Sequence, residues 1–302
     1  MVKKEAYLYV ILSVVLWGSS ASVGKLLLKN LNNIQVSLFI SIIAFLTLLI
    51  ITIFQKKLNL IKKYKTKDYA YFALMGFIGI FLYYVFFYGA LMFSSAQEAF
   101  IVNYTWPVFI VIFSILFKYE TFSFKKILAI TLGFIGVFIV ITQGSLNINL
   151  INNTMGVILA FAGAICYGLF SVITKKKDYE RTTSMTLFYL FTSVYFIIAV
   201  IFFSTLPKIN ISETLGLLWL GIFPSGLAFL FWQLALKYGD TAKISNIIFL
   251  TPFVSLVYIY FLIGEKIMIS SVIGLVIIIF GIILQSYNSK KQKNSSRRQI
   301  IA

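Results

Sequence analysis

The 302-residue chain contains no histidine and one cysteine, Cys166. Without histidine it lacks the commonest metal ligand and the usual general base near neutral pH. A single thiol excludes an internal disulfide, and Cys166 reads as a small packing residue. No GxSxG, HExxH, Walker loop or GxGxxG occurs. Enzymatic activity, a metal site and a cofactor are therefore not expected. Charge is also scarce: 12% of residues are Asp, Glu, Lys or Arg, where soluble domains carry about 25%. Acids are fewest, nine against 26 Lys and Arg, for a net charge of +17. That excess suggests nucleic acid only if the basic residues cover a soluble surface. Here they form short runs between apolar stretches, so no nucleic-acid partner is expected.

What is abundant is hydrocarbon. Hydrophobic residues make up 60% of the chain and aromatic ones 18%, with a mean hydropathy of +0.96. A water-soluble fold of this length has no interior large enough to hide that surface. The expected solvent is a lipid bilayer. The start, MVKKEAYLYVILSVVLWGSSA, resembles a signal peptide in its basic flank and small residues. Its apolar pattern resumes and runs to Leu28, which predicts an uncleaved first helix.

A helix needs about 20 apolar residues to cross the hydrocarbon core. Breaks between apolar runs predict ten spans, at 6–28, 34–54, 69–92, 98–117, 125–143, 155–174, 184–206, 215–236, 241–262 and 269–287. The weakest breaks are 93–97 and 237–240; without both, eight spans remain. With the N-terminus in the cytoplasm, 22 of the 26 basic residues fall on the cytoplasmic side, which favours ten spans and cytoplasmic termini. The expected location is the cytoplasmic (inner) membrane, with a basic tail at 289–302 near anionic lipid.

The two halves echo each other. GFIGIFLYYVFFYGAL (76–91) aligns with GIFPSGLAFLFWQLAL (221–236) at a shift of 145 residues. The same shift places Trp106-Pro107 on Thr251-Pro252, Glu120 on Glu265 and Gly136 on Gly281. This predicts an all-α membrane protein of two repeats, 1–145 and 150–288. Five spans is an odd number, so two copies in series face opposite ways across the bilayer. Inverted repeats are typical of transporters, with a substrate site between the halves near the midplane.

Ten spans in two halves, WGSS in the first, a Pro closely followed by Phe in the fourth and ninth, an acid after each and glycine-spaced fifth and tenth spans resemble the drug/metabolite transporter superfamily. The EamA family is the branch most resembled, over about 6–287. The stretch EAFIVNYTWP (98–107) is similar to the fourth helix of its aromatic amino-acid exporters: Glu98, Asn103, Tyr104, Trp106 and Pro107 match position by position. The resemblance implies amino-acid-like cargo.

Pro107 in the fourth span removes a backbone donor and frees a carbonyl one turn back. In lipid that group needs a protein or water partner, and Asn103 and Thr105 are suited to it. Pro252, Pro224, Gly79 and Gly226 join Pro107 as candidate hinges. Glu98 is either a solvated acid favoured by a helix N-terminus or a carboxylate reaching into a cavity; the repeat sets Lys243 opposite it. Lys25 either snorkels to the interface or meets a substrate carboxylate. Glu120 and Glu265 read as loop caps or ion-pair partners. Trp17, Tyr83, Tyr84, Tyr88, Tyr104, Trp106, Tyr167 and Trp232, with Ser20, Asn103, Ser171 and Gln233, are candidates to line one cavity. Trp219 reads as interface belt. Such a lining suits a small amphipathic organic molecule.

The expected function is secondary transport of small organic solutes by alternating access, with export of amino acids, aromatic ones included, or of related metabolites. Cationic drug efflux, lipid-carrier flipping and, from another class, an intramembrane enzyme are the alternatives. The expected partners are the small-molecule substrate and the bilayer.

Overall fold

A computed structural model describes residues 4–119, 122–145, 154–238 and 247–284, without the side chains at 125, 233, 236 and 237. Glu120, Lys243, the Gln233 side chain and the basic tail at 289–302 therefore lie outside the described residues.

The described chain is helical, with no strand. Its apolar helices, in order, are α1 (Lys4–Leu27), α2 (Asn33–Phe54), α3 (Thr66–Phe93), α4 (Ala96–Leu116), α5 (Lys126–Ile141), α6 (Thr154–Lys175) and α7 (Arg181–Phe203). Next come α8, Ile211–Ile222 continuing to Ala228–Tyr238, then α9 (Thr251–Ile263) and α10 (Ile269–Leu284). Seven stretches are long and apolar enough to cross a membrane: α1–α4, α6, α7 and Ile211–Trp232 of α8. Helices α5, α9 and α10 are shorter. Residues such as Phe54, Phe202, Phe203 and Phe261 are largely exposed on the outside of the bundle. Lipid, which is as apolar as they are, is the environment that suits such a surface.

Local sequence sets the helix starts. Asn32 caps α2 by accepting from the Gln35 N–H at 2.9 Å, and the Gln35 side chain returns the bond to the Asn32 N–H. Ser95 and Glu98 make the same reciprocal pair at α4, and Asn210 and Glu213 at α8. Each box satisfies two backbone donors that a helix start leaves over. Glu180 caps α7 by accepting from the Thr183 N–H, and it takes a 2.7 Å ion pair from Lys57 beyond α2. Burial pushes the Glu180 carboxyl up, but the Lys57 ammonium and the N–H groups of Thr183 and Thr182 outweigh it. Its pKa lies below the usual carboxylate value.

Several helices are interrupted: α1 at Gly18-Ser19, α9 by a π turn at Ile259–Ile263, and three more, α3, α4 and α8. A wide π turn occupies Phe77–Leu82 in α3, around Gly79, and another Phe223–Leu227 in α8, beginning at Pro224. Pro224 has no N–H for the ordinary ladder. One turn on, the Ala228 N–H bonds to the Phe223 carbonyl, leaving the Pro224 carbonyl free. In α4 the helix breaks at Tyr104-Thr105 and restarts at Trp106-Pro107.

The two halves interleave. Helix α2 packs along α7, α3 against α6 and α7, α1 against α8 and α9, α4 against α6, and α2 against α8. Small residues allow close approach where lipid supplies no hydrophobic drive. The backbones of Gly136 in α5 and Gly274 in α10 touch. A Cβ on Gly79 would overlap the Phe170 ring and stand 2.7 Å from Phe170 Cβ.

Candidate functional site: an aromatic cavity between the halves

A cavity of about 260 Å³ lies between the halves, with walls from α1, α3, α4, α6, α7 and α8 and from Ile248 and Thr251 at the start of α9. Trp17 and Ser20 come from α1, and Gly79, Tyr83, Tyr84 and Tyr88 from α3. Asn103, Tyr104 and Trp106 come from α4, Tyr167 from α6, and Pro224 and Trp232 from α8. Ten of the twelve side chains expected to line one cavity thus share it. Ser171 is not part of its lining, and its hydroxyl donates to the Tyr167 carbonyl at 2.7 Å. Glu98 is buried at the first turn of α4, also off the lining, with its carboxylate turned back to the Ser95 N–H. Pro107, Pro252 and Gly226 sit behind the wall; Gly79 and Pro224 are in it.

Sequence reasoning missed α7 altogether. Met185 and Tyr189 line the cavity from that helix, as do Ser225 and Phe229 from α8. Nothing in the α7 sequence distinguishes Tyr189 from a packing residue. Tyr84 was legible only as one aromatic among many.

The rings meet at angles that range from stacked to edge to face. Trp106 meets Tyr167 at 5.2 Å between centroids and 83°, and Tyr167 meets Tyr83 at 5.2 Å. Trp17 and Trp232 lie 6.2 Å apart. Two of their polar tips are spent on the interruptions. The Trp17 indole N–H donates to the Pro224 carbonyl at 2.9 Å, the group the π turn releases. Pro252 leaves the Ile248 carbonyl without a helical donor. Thr251 supplies a hydroxyl at 2.7 Å and Tyr104, from the other half, one at 3.1 Å. Thr105 likewise donates to the Val102 carbonyl at 2.7 Å. Asn103 does not serve the kink: its amide donates to the Ala160 carbonyl of α6 and accepts from Tyr83, both at 3.3 Å. Gly163 leaves room for it, since a Cβ there would lie 2.8 Å from Asn103 Nδ2.

Among the described residues, none of the lining side chains carries a formal charge. Charge gathers instead at one end of the bundle. Lys25 is half-buried and off the cavity lining. Its ammonium donates to the carbonyls of Leu91 and, at 2.7 Å, Ser94 at the end of α3. Glu265, beyond α9, accepts from the N–H groups of Ala96 at 2.9 Å and Gln97 at 3.4 Å, capping α4. Gln97 returns two bonds to the α9–α10 loop, at Lys266 and Met268. Both Glu265 and Glu98 act on the Lys25 charge. Trp219 is no belt residue either: its indole donates to Ser19 at 2.9 Å inside the bundle.

An apolar helical bundle with a polar-tipped cavity enclosed between two halves belongs to the class of multi-pass membrane transporters. A family model makes the assignment specific: that of the EamA-like transporter family matches twice, over residues 4–142 and 154–287, and the chain belongs to that family. Relatives carry transporter names. An uncharacterized transporter, YyaM, of Bacillus subtilis is 28% identical over 81% of this chain and 84% of its own length. An uncharacterized transporter of Clostridium kluyveri is 24% identical over 98% and 97%. The aromatic amino acid exporter YddG of Ancylobacter novellus is 26% identical over 60% of this chain and 63% of its own length. One solved crystal structure shares the fold, with a TM-score of 0.65 and 19% identity over 96% of this chain and 99% of that one.

Proposed function

We propose that this EamA-family protein exports small organic solutes, amino acids and aromatic ones in particular, across the cytoplasmic membrane by alternating access. One observation carries the reading: an aromatic cavity between the halves with no charge among its described lining residues, reached by the interrupted helices α3, α4 and α8. Its volume lies below the roughly 300–1,000 Å³ of drug-sized sites, which suits a metabolite. A relative named as an aromatic amino acid exporter and the Glu98–Pro107 motif point the same way. The absence of an acid from the lining weighs against cationic drugs as the main cargo.

In this reading the chain crosses the membrane ten times as two inverted halves with both termini cytoplasmic. The packing supports it. Exchanging α1–α5 for α6–α10 maps α1·α8 onto α6·α3, α4·α6 onto α9·α1 and α2·α8 onto α7·α3, and α2·α7 onto itself; all these contacts exist. The π turns at Phe77–Leu82 and Phe223–Leu227 end 145 residues apart, as do Pro107 and Pro252. Positive-inside bias then places Lys25, Gln97 and Glu265 at the outer end, where they tie α4, α3 and the α9–α10 loop together. That cluster is the outer latch, and the interrupted helices bend to open it. Asn103, Tyr104, Trp106, Trp17, Ser20, Tyr83, Tyr88, Tyr167 and Trp232 contact the solute.

The test is efflux of labelled phenylalanine, tryptophan and alanine from proteoliposomes. Aromatic amino acids should leave faster than from protein-free vesicles, and Asn103→Ala should slow them. Efflux equal to that of empty vesicles for all three would sink the reading.

A further inference from the structure

One wall of the cavity carries an unspent hydrogen-bond donor. Tyr84 of α3 stands 2.9 Å from the Tyr189 hydroxyl of α7 and 2.9 Å from the Ser225 hydroxyl in the π turn of α8. Three hydroxyls hold three protons, and the two contacts among them use two. No further acceptor among the described residues takes the third. Tyr84 and Tyr189 are 7% and 5% exposed, and all three residues line the cavity. Beside them the Tyr88 ring lies 5.4 Å from Tyr84 and lines the same cavity. A buried donor without an acceptor is costly, and an acceptor brought by a ligand removes that cost.

We infer that Tyr84, Tyr189 and Ser225 form the anchor for the carboxylate of a zwitterionic solute, and so set specificity for amino acids over the corresponding amines. The inference rests on the amino-acid reading above and deepens it. A carboxylate accepts only, and hydroxyl donors suit it. Among the described residues the cavity lining holds no cation to neutralise a net anion. A zwitterion brings its own counter-charge, and its ammonium meets ring faces of the surrounding tyrosines and tryptophans. The side chain of the solute is then left to the apolar wall. The three anchor residues come from three helices, one of them at the π turn, so any movement of α8 against α3 and α7 opens or closes the anchor.

Trp17, Trp106 and Trp232 line the cavity, so their fluorescence reports occupancy. Binding of phenylalanine and of phenethylamine, which lacks the carboxylate, would be titrated on purified full-length protein in nanodiscs. Wild type should bind phenylalanine at least about tenfold more tightly, the loss expected for one charge-assisted hydrogen bond. Tyr84→Phe and Ser225→Ala should bring the two ligands within about twofold while phenethylamine affinity holds. Tyr189→Phe provides a third, independent removal. Discrimination that survives all three variants would overturn the inference and leave the amino-acid reading standing. If wild type binds neither ligand, the amino-acid reading falls and takes the anchor with it. If it binds both equally, the anchor alone falls.

Discussion

Removing the Glu265 carboxylate should unfasten the outer end of the bundle. In Glu265→Ala the N–H groups of Ala96 and Gln97 lose their acceptor, bonds of 2.9 and 3.4 Å in the folded protein. Loss of an N-terminal cap costs about 0.5–2 kcal/mol. Lys25 also loses one of the two carboxylates that act on it, while keeping Glu98 and the carbonyls of Leu91 and Ser94. A loss of about 2 kcal/mol, the upper end of that range, shifts the balance between outward-closed and outward-open forms about 30-fold. The assay places a cysteine at the cavity residue Ser20 in a Cys166→Ala background and labels intact cells with a membrane-impermeant maleimide. Labelling should speed up ten- to thirty-fold, by estimate, in Glu265→Ala. Glu265→Gln keeps an acceptor oxygen and should show only a few-fold gain. A rate within twofold of the parent in Glu265→Ala would refute the latch.

Gly79→Ala pushes a Cβ against Phe170; overpacking of this kind costs about 1–3 kcal/mol, and the thermal midpoint should fall, with little recovery in the Gly79→Ala, Phe170→Leu double variant, because Leu keeps the Cβ and Cγ that the new methyl meets. Trp106→Ala removes the ring that meets Tyr167 and Tyr104, and should cut aromatic amino-acid efflux at least about tenfold in protein that still elutes as a folded species. Glu180 is held below the ordinary carboxylate range, so its stabilising contribution is present above the unfolded-state value and is lost as pH falls through the folded one. Glu180→Gln should therefore be less stable than wild type at pH 7, and denaturation in detergent at falling pH should show the two converging in acid. An unchanging gap would show that the Lys57 pair is not its source.

Apolar run length and interrupting Pro and Gly made the helices legible, because in lipid the backbone must satisfy itself and few alternatives remain. The cavity was legible where polar-tipped aromatics interrupt an apolar run, as at Asn103-Tyr104-Thr105-Trp106. It was not legible on α7, where Tyr189 differs from neighbouring aromatics only by which helix it meets. The cross-half bonds were hidden for the same reason. Gln97, Lys25 and Glu265 lie 72 or more residues apart, and only folding joins them. Pro224 announced a bend but not its form. The chain took a π turn, which frees a carbonyl for Trp17 instead of simply losing a bond. Glu98 satisfied both readings of a buried acid at a helix start, and in the structure the cap takes its carboxylate.

The π turn in α3 also sets a reading frame for insertions and deletions. Each residue advances an ordinary helix by about 100°, so deleting one residue within Phe77–Leu82 lets the wide turn relax to a regular one and leaves both flanks aimed as before. Deleting one after it, between Leu82 and Tyr88, keeps the wide turn and swings Tyr88 and everything beyond it a quarter turn or more toward lipid. Length variation in this helix is therefore tolerable on one side of Tyr83 and ruinous on the other.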